Sequence, residues 1–229
     1  MKAVILYGPP GSGKGTQANL LALTNNFVHF DTGKFLEATV NNPELLKKSK
    51  LIREQKKLFD TGILCDPAFV LDIVKNKTKE IAEAKLSIAY SGSPRTMYEA
   101  FGDGKQTGLY TILRKLYGKN VYIFIISVKP QTSIRRNSAR LICNTCGIPA
   151  VVWDSNKPPK HCLICGATFR KRSLDKAEII KVRLKEYANR TLPIIKEAKK
   201  HGFIVNQING EQKPFKVFEQ IIKRLESRD

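Results

Sequence analysis

Apolar residues along this chain fall into short runs set apart by longer, mixed stretches. Lys2–Tyr7, Phe27–Phe30, Leu86–Tyr90, Val121–Val128 and Phe203–Ile208 are each a short apolar or β-branched run. Such runs read as strands, and strands this uniformly apolar are those buried on both faces. The intervening segments carry helix start and stop signals. Asn42-Pro43 and Asp66-Pro67 each read as an N-cap followed by proline at the first helical position. Asp175 with Glu178 three residues on reads as a capping box. Gly62, Gly118 and Gly202 stand where three helices should end in the left-handed conformation. Alternation of this kind predicts an α/β fold: a five-stranded parallel sheet with helices on both faces and ligands at the strands' carboxyl ends. Only Leu141–Leu174, rich in Cys, Pro and Gly, breaks the alternation.

The turn after the first strand carries the most specific chemistry. Gly8-Pro9-Pro10-Gly11-Ser12-Gly13-Lys14-Gly15-Thr16 joins that strand to a helical stretch beginning at Gln17. A strand, a glycine-rich turn with a lysine and a helix N-terminus make a phosphate cradle: backbone N–H groups point inward and Lys14 reaches a terminal phosphate. The usual pattern sets Ser or Thr directly after the lysine to hold Mg²⁺. Here Gly15 intervenes and Thr16 comes one residue late.

Charge and composition add less. The 229 residues carry 40 basic and 20 acidic side chains, a net charge of +20. Attraction to nucleotides, RNA or another polyanion is one reading. A phosphate clamp plus solvated lysines is the other, and the absence of an aromatic-studded basic tract favours it, leaving RNA as a weakly supported partner. No run is long enough for a membrane span, and the N-terminus runs straight into a strand without a signal peptide, so the expectation is a cytoplasmic protein.

Cys143-Asn144-Thr145-Cys146 and Cys162-Leu163-Ile164-Cys165 are two CxxC knuckles with fifteen residues between them. That spacing fits a closed, structural four-thiolate zinc site, with Gly147 and Gly166 turning the chain after each knuckle. Four unrelated thiols or two disulfides are the alternatives, and a reducing compartment disfavours the disulfides. Cys65 stands alone and reads as a small apolar residue in a turn.

With these pieces placed, the sequence resembles the adenylate kinases, within the nucleoside monophosphate kinases. The resemblance covers essentially the whole chain. It rests on Gly8–Gln17, Thr32-Gly33, Gly92 with Pro94-Arg95-Thr96, Arg136 with Arg140, and Arg172, Asp175, Arg183 and Leu184 after the cysteine-rich segment, with Ile208-Asn209-Gly210 near the end. It implies a P-loop fold with core segments 1–30, 67–140 and 175–229, a small monophosphate-binding lobe over 31–66 and a zinc lid over 141–174. It implies reversible transfer of the ATP γ-phosphoryl to AMP with Mg²⁺, by a monomer that closes over its substrates. The resemblance places ATP on Gly11, Ser12, Gly13, Lys14, Gly15, Thr16, Arg136 and Arg140. The monophosphate falls to Thr32, Gly33, Lys34, Glu37, Cys65, Gly92, Arg95, Glu99, Arg172 and Arg183. Catalysis falls to Lys14, Arg95, Arg136, Arg140, Arg172 and Arg183, whose positive charge suits phosphoryl transfer.

Some positions depart from the family pattern. Ser91 replaces a metal-holding aspartate, which with Gly15 predicts weaker Mg²⁺ anchoring and low turnover; Asp175 is the remaining carboxylate implied at the lid. Lys34 and Glu37 reverse the family's acid-then-arginine order, so Lys34 either restores the missing charge or pairs with Glu37 on the surface. Glu99 replaces a glutamine that reads adenine, and a carboxylate, which only accepts, suits guanine better. An adenylate kinase is therefore the leading expectation. A kinase acting on GMP or another monophosphate is one alternative, and a kinase-impaired nucleotide-binding protein (an ATPase, sensor or RNA-associated factor) is the other.

Overall fold

Five strands lie side by side in parallel, and their carboxyl ends define one edge on which the site is built. The structure is a computed structural model that describes residues 1–150, 159–171 and 173–227. The strands are β1 (Ala3–Tyr7), β2 (Phe27–Phe30), β3 (Ser87–Tyr90), β4 (Val121–Ser127) and, last in the chain, β7 (Val205–Asn209). They stand in the order β2-β3-β1-β4-β7, with β1 paired to β3 from Ala3↔Ile88 and to β4 from Ala3↔Val121. The chain leaves β1 toward one edge and β3 toward the other, so a crevice opens between their carboxyl ends.

Side chains alternate across the sheet, and both faces are covered. Ala3, Ile5 and Tyr7 join Ile88, Tyr90, Ile123 and Ile125 in one cluster, under α5 (Pro67–Glu83), α7 (Leu109–Tyr117) and α10 (Leu192–Lys200). Val4 and Leu6 join Ala89, Phe124 and Ile126 on the other face, under α1 (Lys14–Asn25) and α11 (Pro214–Glu226). Burying each such Ile, Leu or Val contributes about 1.5–3 kcal/mol, so this two-sided burial fixes the register.

The strand ends deviate modestly from expectation. Leu86, Phe203 and Ile204 lie outside the strands; Leu86 and Ile204 are exposed, and Lys85 turns the chain with a φ of 57°. The expected caps hold at α3 (Pro43–Lys48), where Asn42 Oδ1 accepts from Glu44 N–H, and at α5, where Asp66 Oδ1 accepts from Phe69 N–H. Gly62 caps α4 (Lys50–Thr61) with a φ of 81°. The capping box at Asp175 and Glu178 does not form. Helix α9 (Ala177–Glu186) starts one residue later than that box requires, with Lys176 at the N-cap position, and the Asp175 carboxylate turns instead to Arg140 and Arg183. A charge-assisted fork is stronger than one N-cap bond, and here it wins.

α2 (Thr32–Val40), α3 and α4 form the small helical lobe between β2 and α5. The cysteine-rich segment begins beyond α8 (Pro130–Ser138) and builds one antiparallel pair, β5 (Ile142–Cys143) with β6 (Phe169–Arg170).

Candidate functional site

A cavity of about 530 Å³ opens at the carboxyl ends of β1 and β3. Its floor is the P-loop, whose shape depends on glycine. Gly11 has a φ of 74°, and a Cβ there would sit 2.5 Å from Asn137 Nδ2. Gly13 stands at the head of α1 with a φ of 99° and no side-chain cap, so that helix's first N–H groups face the cavity. Helix α8 backs the loop: Ser133 Oγ donates to Pro10 O, and Asn137 Nδ2 donates to Ser133 O at 2.7 Å. Ser12, Gly15 and Thr16 line the same space.

Cationic groups converge on this floor. Lys14 Nζ donates to Gly8 O at 2.7 Å and Pro9 O at 2.9 Å. Burial pushes its ammonium well below the usual lysine range, and the charges of Arg95, Arg183 and Arg140 push it further. Repulsion of that kind marks a pocket waiting for a polyanion, which would reverse it. Arg136 donates from Nη1 to Gly210 O at 2.8 Å and also lines the cavity. Arg140 donates from Nε to Asp175 Oδ2 at 2.8 Å, while Arg183 Nη1 stands 3.6 Å from Asp175 Oδ1. Asp175 therefore aligns two arginines; it is not among the cavity-lining residues, which corrects the expectation of a lid carboxylate free for metal. Arg172 lies outside the described residues.

The second wall has the features of a phosphate pocket. Thr32 is buried, and its Oγ1 has no hydrogen-bond partner among the described residues. A Cβ on Gly92 would lie 3.3 Å from Thr32 Cβ and 3.5 Å from Arg95 Nη2, so a residue without a side chain lets Thr32, Gly33 and Arg95 meet. Lys34 reaches across to the cysteine-rich segment, its Nζ 3.1 Å from the place of a Cβ on Gly147. Glu37, half-buried on the same helix, is not brought to the cavity wall. Cys65 does reach the wall; its thiol donates to Gln55 O at 3.7 Å, and burial pushes its pKa up to about 11.

Glu99 is buried at the wall, but both its oxygens are engaged. Oε2 accepts from Arg95 N–H and Oε1 from Thr96 Oγ1, each at 3.0 Å, while Thr96 Oγ1 accepts from Glu99 N–H at 3.2 Å. This is a variant of the capping box at the start of α6 (Met97–Phe101), spelled Thr96-x-x-Glu99 in the sequence, in which Glu99 reaches the Thr96 hydroxyl and the N–H of Arg95 instead of the N-cap N–H. Burial raises the carboxyl above the usual range, partly opposed by those same hydrogen bonds.

On the β2 side the residues are polar. His29 Nδ1 lies 2.6 Å from Asn19 Oδ1 and Nε2 lies 2.8 Å from Ser91 Oγ. Burial lowers the pKa of His29; Asp31 opposes the shift and Lys34 adds to it. Asp31 caps α2, its Oδ1 accepting from Lys34 N–H at 3.2 Å. Nothing in the sequence reading singled out Asn19, His29 or Asp31.

The four cysteines of the knuckles come together. Their sulfurs all lie within 4.8 Å of one another, with Cys143–Cys165 at 3.4 Å and Cys146–Cys162 at 3.6 Å. All four are free thiols, which sets aside the disulfide alternative. A tetrahedral zinc with bonds of about 2.3 Å requires sulfurs at about 3.8 Å, so the donor set fits that ion.

The sequence of the whole chain agrees with this geometry. The family model for adenylate kinase matches residues 6–203. The chain belongs to the adenylate kinase family. An adenylate kinase of Methanothrix thermoacetophila is 33% identical over 222 residues, which is 97% of either chain. One of Caldicellulosiruptor saccharolyticus is 32% identical over 210 residues, covering 91% of this chain and 92% of its own. One of Methanococcoides burtonii is 32% identical over 225 residues, covering 97% and 98%. This family member is thus a phosphotransferase, and its cavity is the place to look for both nucleotides. No helix among the described residues is long and apolar enough to cross a membrane.

Proposed function

We propose that this enzyme moves the γ-phosphoryl of ATP reversibly onto AMP, yielding two ADP, with Mg²⁺ accompanying the donor and a structural zinc holding the lid. The observation that carries the reading is the convergence of Lys14, Arg95, Arg140 and Arg183 on one cavity, close enough that each arginine depresses the lysine's pKa. Phosphoryl transfer asks little covalent work of the protein; it needs in-line positioning and positive charge around the migrating group.

The roles follow from placement. The backbone N–H groups of Gly11–Thr16 and the α1 N-terminus receive the β-phosphate, and Lys14 neutralises the transferring group. Arg136, Arg140 and Arg183 surround it, and Arg172, at the far end of the lid, is assigned the same role on the resemblance. Arg95 and the unpartnered Thr32 hydroxyl grip the acceptor phosphate; a guanidinium fork fits its oxygens better than an ammonium. Mg²⁺, when bound with ATP, supplies charge neutralisation across the phosphates. Cys143, Cys146, Cys162 and Cys165 would hold zinc, tying the lid segment over 141–174 together across the lobe at 31–66. Closure excludes water, the competing acceptor. Each Glu99 oxygen already accepts one hydrogen bond in the α6 cap, which orients the carboxylate toward its own backbone and makes it a less ready partner for guanine, and this favours AMP over GMP.

A coupled assay of Mg-ATP with AMP, GMP, CMP and UMP, against ATP alone, tests the reading. AMP should give the highest kcat/KM, and Lys14→Ala should lower it by about 10²–10³. ATP hydrolysis without acceptor dependence would overturn it, and a preference for GMP would move the acceptor.

A further inference from the structure

The position after β3 has lost the carboxylate expected to steady the metal, yet the structure does not leave it chemically empty. Ser91 is buried and sits at the end of a three-residue hydrogen-bond chain, Asn19–His29–Ser91. The order of donors along that chain is fixed by its first member. The Asn19 amide oxygen facing Nδ1 can only accept, so His29 carries its proton on Nδ1. Nε2 is then an acceptor, and the Ser91 hydroxyl must give its proton to it. What Ser91 keeps is its lone pairs. Ser91, His29, Asn19 and Asp31 all line the phosphate cavity.

Asp31 completes the arrangement. One of its carboxylate oxygens caps α2, and the other has no hydrogen-bond partner among the described residues. Apart from Glu99, whose oxygens are turned to Arg95 N–H and the Thr96 hydroxyl, it is the only carboxylate among the described residues of the wall. Its charge is felt by Lys14 on the P-loop and by His29 behind it. A hydrated Mg²⁺ presents water protons outward and asks its surroundings for oxygen acceptors rather than for direct ligands. Asp31 and Ser91 each follow directly on the Phe30↔Tyr90 pair of β2 and β3 and line the same cavity, so an acceptor-only hydroxyl and a carboxylate are offered there together to meet that demand.

Building on the ATP and Mg²⁺ reading above, we propose that Asp31 and Ser91 together hold the waters of the ATP-bound cation, and that His29, oriented by Asn19, is the positioning residue that keeps the Ser91 hydroxyl an acceptor. The carboxylate expected after β3 has in effect moved to the end of β2. On this reading the anchor is relocated to Asp31 and Ser91 rather than simply lost.

Mn²⁺ provides a readout apart from turnover. Its affinity for the enzyme–ATP complex is measured by electron paramagnetic resonance, and ATP affinity is measured separately in EDTA. Asp31→Asn keeps the α2 cap, because an asparagine oxygen caps as well. Asp31→Asn and Ser91→Ala should each weaken Mn²⁺ binding about tenfold while ATP affinity in EDTA stays within twofold. His29→Gln should weaken Mn²⁺ binding in the unaltered chain and have no further effect in the Ser91→Ala background, as expected for a residue acting through another. Ser91→Asp should strengthen Mn²⁺ binding, and this variant reports even if the others fold poorly. Unchanged Mn²⁺ affinity in Asp31→Asn and Ser91→Ala, or an undiminished His29→Gln effect without Ser91, would overturn the inference while leaving the kinase reading intact. Failure of the unaltered enzyme to bind ATP would overturn both.

Discussion

Thr32 shows how one atom can carry a functional reading. Its hydroxyl is buried without a partner among the described residues, a condition that costs about 1–3 kcal/mol unless a ligand relieves it. Thr32→Val should therefore raise the melting temperature slightly and raise the AMP KM about tenfold, with kcat changed less; steady-state kinetics and calorimetry check both. Glu99 gives a pH signature. Burial holds its folded pKa above the unfolded value, so the neutral carboxyl is favoured in the fold, and stability is lost as pH rises from the ordinary carboxylate range through the folded pKa. Glu99→Gln should be the more stable protein by thermal melts at neutral pH, with the difference vanishing below the ordinary carboxylate range. Lys14, Arg95 and the four knuckle cysteines were legible from sequence because their motifs state both residue type and spacing. Asp31 was not, since an aspartate before a helix reads only as a cap. Glu99 does reach the cavity wall, but its role in the α6 cap, where one oxygen accepts from Thr96 Oγ1 and the other from Arg95 N–H, was not read from sequence.

Among the elements, strands were the easier to read and helix starts the harder. Runs buried on both faces, such as Val121–Ser127, announce themselves whatever surrounds them. Helix starts depend on competition: Asn42 and Asp66 cap as expected, whereas Asp175 has two arginines within reach and turns to them. The cysteine-rich segment is the element most dependent on something outside the sheet. Its described residues form one two-stranded pair and two isolated bridges, and such a pair is marginal alone, so metal ligation should supply its stability. Removing metal with a strong chelator, or changing Cys146→Ser, should melt this segment at a temperature well below the sheet and lower kcat at least tenfold, since the arginines at its base lose their cover. Hydrogen exchange should show protection lost around residues 141–171 and retained in β1, β3 and β4.

For the whole molecule, the sheet order and the covering of both faces follow from alternating strands and helices, so the fold was legible almost throughout. The location of the cavity followed too, because a parallel sheet opens at its carboxyl ends. The excess of 20 positive charges leaves a consequence in kinetics rather than in shape. ATP should associate at a rate that falls about tenfold between 20 and 500 mM salt, as steered encounters do, and stopped-flow binding at several ionic strengths checks it. RNA added at physiological salt should compete only weakly, because no aromatic tract accompanies the charge. One feature also bears on how such an enzyme can change over time. The chain departs for the cysteine-rich segment at Arg140 and comes back at Asp175, and those two residues already grip each other. To the sheet, everything between them is a cartridge clipped at its two ends. A differently built insert that keeps an arginine at the place of Arg172 should be exchangeable into that slot without Arg140 and Arg183 losing their alignment, so stability of the cover and chemistry of the floor are free to evolve apart.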